Sequence, residues 1–273
     1  MSKAEWETLC KDMRRDCLIM ADSAGSAGLH FGGSLSLIEI IAALYFGVMN
    51  INGDSLDDEA RDRLILSKGH GVPAIYAALH QMGVLSDQDL SLFKADETEL
   101  FGHPCVNSKL GIEFSSGSLG QGLSQGVGCA LALKYKENYN SRVFVILGDG
   151  ECDEGSVWEA AMAASKFKLN NLIAIVDENK IQYDGKTEDI MPLTSLEKKW
   201  KSFGWTVKTI DGHDVYECQA AFNDQHDSPM VVIAQTIKGK GITFMENDPH
   251  WHHAKLTKSQ RQQAWEELED DRV

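Results

Sequence analysis

Trp6, Leu9, Met13, Cys17 and Met20 recur at three- and four-residue steps, which predicts the buried face of an amphipathic helix. After a glycine-rich break at 24–33, Ser34 stands where it could cap a helix carrying Leu37, Ile38, Ile41 and Leu44. Further on, short apolar runs alternate with helical patterns. Leu64 to Leu66 predicts a strand, then a Ser67-Lys68-Gly69-His70-Gly71 loop and a helix through Leu79. Leu119 to Tyr135 predicts a long helix rich in small residues. Val143–Leu147 and Leu172–Val176 are unbroken apolar runs, as expected of strands buried on both faces. Trp158 to Phe167 separates them as a helix. Trp205 to Ile210 and Met230 to Ala234 predict further strands, with a helix opened by Asp214 between them. Thr257-Lys258-Ser259-Gln260 matches a capping box for a last helix through Leu268. The polar segment Asp184 to Met191 reads as a mobile or partner-facing loop.

Strands alternating with helices predict an α/β fold, a mostly parallel sheet with helices on both faces. There is no repeat or Ser/Gly spacer, and only five prolines, so residues 1–273 read as a single domain.

Composition narrows the function classes. With 26 Lys and Arg against 41 Asp and Glu, the net charge is −15, which disfavours nucleic acid and anionic membranes as partners. Six cysteines lie scattered with no C-x-x-C pair, the usage of reduced thiols and hence of a cytoplasmic protein. The first twenty residues lack a signal-peptide apolar core. The longest apolar stretch, 37–49, contains Glu39 and is too short to span a bilayer.

Gly148-Asp149-Gly150 directly follows the Val143–Leu147 run, and ligands in open α/β sheets bind beyond the carboxyl ends of strands. Asp177-Glu178-Asn179-Lys180-Ile181 follows the next run. The Asp149 carboxylate, the Asn179 amide and a carbonyl such as that of Ile181 form a set of hard oxygen donors suited to Mg²⁺ or Ca²⁺, with positions left for water and phosphate oxygens. Either fragment alone is as well explained by an ordinary turn and cap; finding both after successive buried strands favours a site. Gly117-Ser118-Leu119-Gly120-Gln121-Gly122 opens the small-residue helix and could hold an anion, or could serve close packing. It is not a dinucleotide fingerprint.

Histidines punctuate the predicted loops: His30, His70, His103 in Phe-Gly-His-Pro, and His252 in Pro249-His250-Trp251-His252-His253. Converging on one cleft, they could bind phosphates or hydroxyls and shuttle protons. His250, His252 and His253 lack the partners of a tetrahedral metal set. His80 and His226 read as packing residues, and His213 as part of a turn and cap.

Together these stretches resemble transketolase, specifically its amino-terminal, diphosphate-binding half. Gly148-Asp149-Gly150 with Asn179 resembles the thiamine diphosphate signature, and 151–160, 67–71, 102–104, 117–122, 211–214 and 238–241 extend the likeness over nearly the whole chain. The resemblance implies that Asp149, Asn179 and the Ile181 carbonyl hold the divalent metal. It implies that His70, Gly117, Ser118, Leu119, Gly148, Gly150 and Glu151 line the cofactor along with the metal residues. It places His30, His103 and His252 as the catalytic residues facing the thiazolium and the sugar, and Glu154 and Glu159 at a subunit interface where the two sites are coupled. Phe31 stands where the family usually has proline.

The chain stops where transketolase would begin its second half, which carries the pyrimidine-binding domain and its ring-activating glutamate. The resemblance therefore implies the amino-terminal subunit of a split transketolase. Its carboxy-terminal partner chain would supply that domain in an assembly of two plus two subunits. The reaction expected is transfer of a two-carbon ketol unit between sugar phosphates. The rival readings are the alpha subunit of a thiamine-dependent 2-oxo-acid dehydrogenase, which lacks the paired Ser-Lys-Gly-His-Gly and Phe-Gly-His-Pro loops, and a non-catalytic paralogue.

Overall fold

The computed structural model describes residues 1–51, 53–56, 58–136 and 141–269. Five parallel strands form one sheet: β1 (Arg63–Leu66), β2 (Val143–Gly148), β3 (Leu172–Glu178), β6 (Thr206–Asp211) and β7 (Met230–Gln235), in the order β1-β2-β3-β7-β6. A separate hairpin pairs β4 (Ile181–Gln182) with β5 (Gly185–Lys186). The helices are α1 (Lys3–Ala24), α2 (Phe31–Leu35), α3 (Ile38–Ala43), α4 (Val72–Gln81), α5 (Asp87–Leu90), α6 (Gly122–Tyr135), α7 (Gly155–Lys166), α8 (Thr187–Ile190), α9 (Leu196–Ser202), α10 (Val215–Phe222) and α11 (Lys258–Glu269).

Strand alternation divides the core into two layers. Phe144, Ile146, Ile173, Ile175 and Val232 face α1, α3, α4 and α10. Val143, Val145, Leu147, Leu172, Ala174 and Val176 face α6, α7 and α9. Every one of these strand residues is essentially excluded from water, which is why the runs show no polar alternation. Burying one such side chain contributes roughly 1.5–3 kcal/mol, so the two layers together fix the sheet, and the sheet fixes where its carboxyl ends stand.

Local signals account for several helix starts. Ser2 and Glu5 close a reciprocal capping box on α1, and Trp6, Leu9, Met13, Cys17 and Met20 are all buried. Asp214 caps α10 through the amides of Tyr216 and Glu217. Thr257 and Gln260 close the expected box on α11.

Three expectations need correction. Ser34 caps nothing: it lies inside α2, and its hydroxyl donates back to the His30 carbonyl at 2.7 Å. The helix expected from Leu119 starts at Gly122, because Gly120 sits at φ 82°. A side chain at Gly120 would press on Ser156 and Glu154, its Cβ 2.6 Å from the Ser156 hydroxyl. The segment expected to be a loop from Asp184 to Met191 is instead β5, α8 and their hairpin turn. The small residues of α6 serve close packing on the sheet and on the loop after β1: a Cβ at Gly122 would lie 2.7 Å from Ser67 Cα, and one at Gly126 would collide with Val145.

Candidate functional site

The loops that leave β1, β2, β3 and β7 meet beyond the sheet's carboxyl edge. They enclose a cavity of about 160 Å³ whose walls include Lys68, His70, Leu119, Gly148–Glu151, Asn179, Ile181, Tyr183, Lys238 and His252. Most of the residues expected to line a cofactor share this one space. Of the others, Gly117 and Ser118 are exposed beside it, and an added Cβ at Gly117 would lie 3.6 Å from the His103 ring.

The oxygen-donor set is built by two turns. Asp149 is buried, and among the described residues its carboxylate accepts only from the amides of Gly150 at 2.8 Å and Lys180 at 2.6 Å. Lys180 adopts φ 64°, a left-handed conformation that costs energy outside glycine. That turn brings the Asn179 amide oxygen to accept from the Ile181 amide at 3.1 Å and leaves the Ile181 carbonyl pointing at a cation, the ammonium of Lys238, at 2.7 Å. Burial, reinforced by Asp177, raises the Asp149 carboxyl to about 6. A buried carboxylate with two amide donors and, among the described residues, no ion-pair partner, beside an amide oxygen and a carbonyl already turned toward a positive charge, fits a divalent cation.

Asp177, one turn away, is fully buried and fully partnered. Lys68 pairs with it, Ser36 donates at 2.6 Å, Asn179 at 3.1 Å, and Thr236 also donates. Burial alone would raise this carboxyl, but Lys68 and these donors hold it below the usual range. Removing one member of such a buried pair costs about 3–5 kcal/mol, so Asp177 and Lys68 hold the β1 and β3 loops together. Glu151 performs a similar task. Its carboxylate accepts from Ser67, from the Gly120 amide at 2.7 Å and from the Gly148 amide at 3.0 Å, and burial raises its pKa despite these donors. It therefore clamps three glycine-containing loops.

Imidazoles line the mouth. The His30 ring lies 5.5 Å from His70, 5.3 Å from His103, 5.6 Å from His252 and 4.4 Å from His253. Two links tie the His30 segment to the His252 segment: the paired backbones of Leu29 and Ala254, and an edge contact between Phe31 and Trp251 at 5.7 Å. The phenylalanine that follows His30 thus has a packing role. Burial and neighbouring positive or titratable groups keep these rings neutral, with His30 down to about 3 and His252 to about 4. His70 and His103 move the same way, burial being the largest cause and Lys68 or Lys94 the next. At neutral pH each ring offers both a donor and an acceptor nitrogen.

Three contributors are not singled out from the sequence, Lys68, Lys94 and Lys238, and a fourth, His253, is weighed there only as a metal ligand. Lys238 is buried, donates to His252 Nδ1 at 3.2 Å as well as to Ile181, and is lowered to about 8 by burial and by Lys68. Lys94 donates to the Gly28 carbonyl at 2.8 Å. The signal was present in the Ser-Lys-Gly-His-Gly and Lys-Gly-Lys-Gly stretches, whose glycines draw the eye from their lysines. His250 turns away to Asp248 at 2.8 Å. His80 binds Asp16, and His226 binds the Ser228 carbonyl. Glu154 and Glu159 are exposed, at the start and on the outer face of α7. Among the described residues, no helix is long and apolar enough to cross a membrane.

A parallel sheet with a hard-oxygen turn, buried lysines and neutral histidines at its carboxyl edge defines a thiamine diphosphate binding domain, and the family model described as "Transketolase, thiamine diphosphate binding domain" matches residues 11–271. The chain belongs to the transketolase family. It is 44% identical over 254 residues to a 6-deoxy-6-sulfo-D-fructose transketolase subunit, SqwG, of a Clostridium species, spanning 92% of each. It is 39% identical over 273 residues to one of the subunits of the apulose-4-phosphate transketolase of Actinobacillus succinogenes, spanning 99% of this chain and 98% of that one. Homo sapiens transketolase is 37% identical over 250 residues, but the match spans only 40% of it. The crystal structure of transketolase from Campylobacter jejuni superposes with a TM-score of 0.91 at 29% identity, over 99% of this chain and 44% of that one. The chain thus spans less than half of the single-chain transketolases and nearly all of the relatives named as subunits.

Proposed function

We propose that this chain is the diphosphate-binding subunit of a two-subunit transketolase, transferring a two-carbon ketol unit from a ketose phosphate to an aldose phosphate. The observation that carries the reading is the meeting of the Asp149, Asn179 and Ile181 oxygens with buried Lys238 and the neutral histidines around a single cavity.

Bound thiamine diphosphate supplies the electron sink that makes the carbon–carbon bond labile. In this reading Asp149, Asn179 and the Ile181 carbonyl hold Mg²⁺ or Ca²⁺, which offsets diphosphate charge in an acidic protein. His70, Leu119, Gly148 and Gly150 border the cofactor. Gly117 and Ser118 flank it, and Lys238 adds the positive charge. Glu151 acts by holding these loops in place. His30, His103 and His252 hydrogen-bond the sugar hydroxyls and pass protons. Neutral rings suit this, because a permanently charged imidazolium cannot accept one.

The partner is a carboxy-terminal chain carrying the pyrimidine-binding domain, in a cytoplasmic assembly of two plus two subunits. Support comes from the exposed apolar residues Phe101, Val106, Leu119 and Tyr183, which lie on the cavity's wall or on the adjoining histidine loop and offer a seat for another chain. Glu154 and Glu159 would then meet the second copy of the site across α7. The relatives' names point to sugars with an anionic tail, phosphate or sulfonate, as the substrate class.

The testing experiment is calorimetric titration of thiamine diphosphate into the two-chain assembly, with and without Mg²⁺. Metal-dependent binding that disappears in Asp149→Ala supports the reading. Equal binding by that variant would refute the metal assignment.

A further inference from the structure

His213 has a partner set that a turn residue does not need. Its Nε2 accepts from the Ile237 amide at 2.8 Å, and its Nδ1 donates to Glu39 at 2.9 Å. A backbone amide can only donate, so these two bonds set one tautomer, with the proton on Nδ1. Glu39, buried on α3, pairs with Arg14 of α1 at 2.7 Å. Arg14 in turn donates through Nε to the Lys240 carbonyl at 2.9 Å.

The two ends of this Arg14–Glu39–His213 chain therefore grip one loop at Ile237 and Lys240, on either side of Lys238. Between them Gly239 donates to the Gly32 carbonyl at 3.1 Å at φ 79°. Gly241 lies so close to the Arg14 guanidinium that a Cβ there would collide with it. The loop has no regular secondary structure of its own to hold it. Two buried charged side chains and a half-buried imidazole, all away from the cavity, cost desolvation energy, and what they secure is the path of this loop.

We propose that Arg14, Glu39 and His213 form a positioning network that sets the Lys238 ammonium on the Ile181 carbonyl and His252, and through it sets cofactor affinity. The inference rests on the reading of the cavity as the thiamine diphosphate site. None of the three side chains lines that cavity, so they act only through the loop.

The test is a double-mutant cycle in the two-chain assembly, read by calorimetric titration of thiamine diphosphate with Mn²⁺. His213→Leu keeps bulk and removes both bonds. His213→Gln offers an acceptor toward Ile237 and a donor toward Glu39. The expected results are cofactor affinity about tenfold weaker in His213→Leu, most of it restored in His213→Gln, and an effect that falls on cofactor affinity more than on kcat at saturating cofactor. In a Lys238→Met background His213→Leu should cost less than about twofold more, since both changes act through one group. Independently, hydrogen exchange at the Ile237 amide in the ligand-free chain should quicken in His213→Leu. Should His213→Leu fail to fold, Glu39→Gln takes its place in the same cycle. Multiplying effects in the cycle, or unchanged exchange at Ile237, would overturn the network. Faster exchange with Lys238→Met binding cofactor normally would keep the network as the loop's anchor and overturn instead the assignment of Lys238 to the cofactor.

Discussion

Lys238 Nζ donates to the Ile181 carbonyl at 2.7 Å, joining the loop after β7 to the turn after β3. This places a cation in contact with one of the three oxygens assigned to a divalent metal. On the proposed reading, the metal and the ammonium would both offset the charge of the diphosphate.

Lys238→Met should weaken thiamine diphosphate binding by about ten- to a hundredfold, the range expected when a charge-assisted hydrogen bond is lost. Lys238→Arg should recover only part, because a planar fork does not fit a site shaped for a compact ammonium. Titration calorimetry at fixed Mg²⁺ reads this directly, and unchanged affinity in Lys238→Met would sink it.

On the proposed reading the histidines divide into two tasks. His103 stands at the mouth and His70 lines the cavity. His103→Ala should lower kcat by about a hundredfold or more while leaving cofactor affinity within about twofold. His70→Ala should chiefly weaken the cofactor. Steady-state kinetics at several cofactor concentrations separates the two, and identical profiles would contradict the division.

Acid should destabilise the chain through the same cluster. His30 takes up its proton near pH 3 when folded, against 6.5 when unfolded, because burial and its neighbours His253, His103, His252 and Lys94 disfavour the cation. Between these values the unfolded chain binds more protons, so the contribution is fully present above about pH 6.5 and is lost as pH falls toward 3. The slope expected is about 1 kcal/mol per pH unit from His30. Urea midpoints at pH 7.5, 6 and 5 would follow it, and a His30→Asn chain should show a shallower fall. Equal slopes would count against buried neutral imidazole as the cause.

Two glycines of α6 should respond oppositely to alanine. At Gly126 a Cβ would strike Val145, whereas at Gly128 nothing lies within 4 Å. Gly126→Ala should destabilise by about 1–3 kcal/mol. Gly128→Ala should stabilise by about 0.5–1 kcal/mol through helix propensity. Thermal melts of the single chain decide it; a stable Gly126→Ala chain would show that α6 can lift off the sheet.

The strands were legible because Val143–Leu147 and Leu172–Val176 are too uniformly apolar to sit anywhere but inside a parallel sheet. The donor turn was legible for the same reason, since Asp149 and Asn179 follow those strands directly. Ser34 misled because a serine hydroxyl can bond back to a carbonyl four residues earlier as readily as it can cap. The hairpin at 181–186 carries no alternation, and the left-handed Lys180 gives no local sign. Lys68, Lys94 and Lys238 were missed because lysine is usually a surface residue. Only the packing of distant loops shows that two of them are buried. The meeting of His30, His70, His103, His252 and His253 depends likewise on segments far apart in the chain, for which the resemblance supplied what local pattern could not.

On the proposed reading this chain supplies the diphosphate half of a transketolase site and needs a second chain for the other half. The most direct measurement is ketol transfer assayed across a size-exclusion profile, for this chain alone and mixed with a carboxy-terminal transketolase subunit, with thiamine diphosphate and Mg²⁺ present. Activity is expected only in the fractions where both chains co-elute. Activity from this chain alone would contradict it, since the ring-activating carboxylate would then lie within these residues.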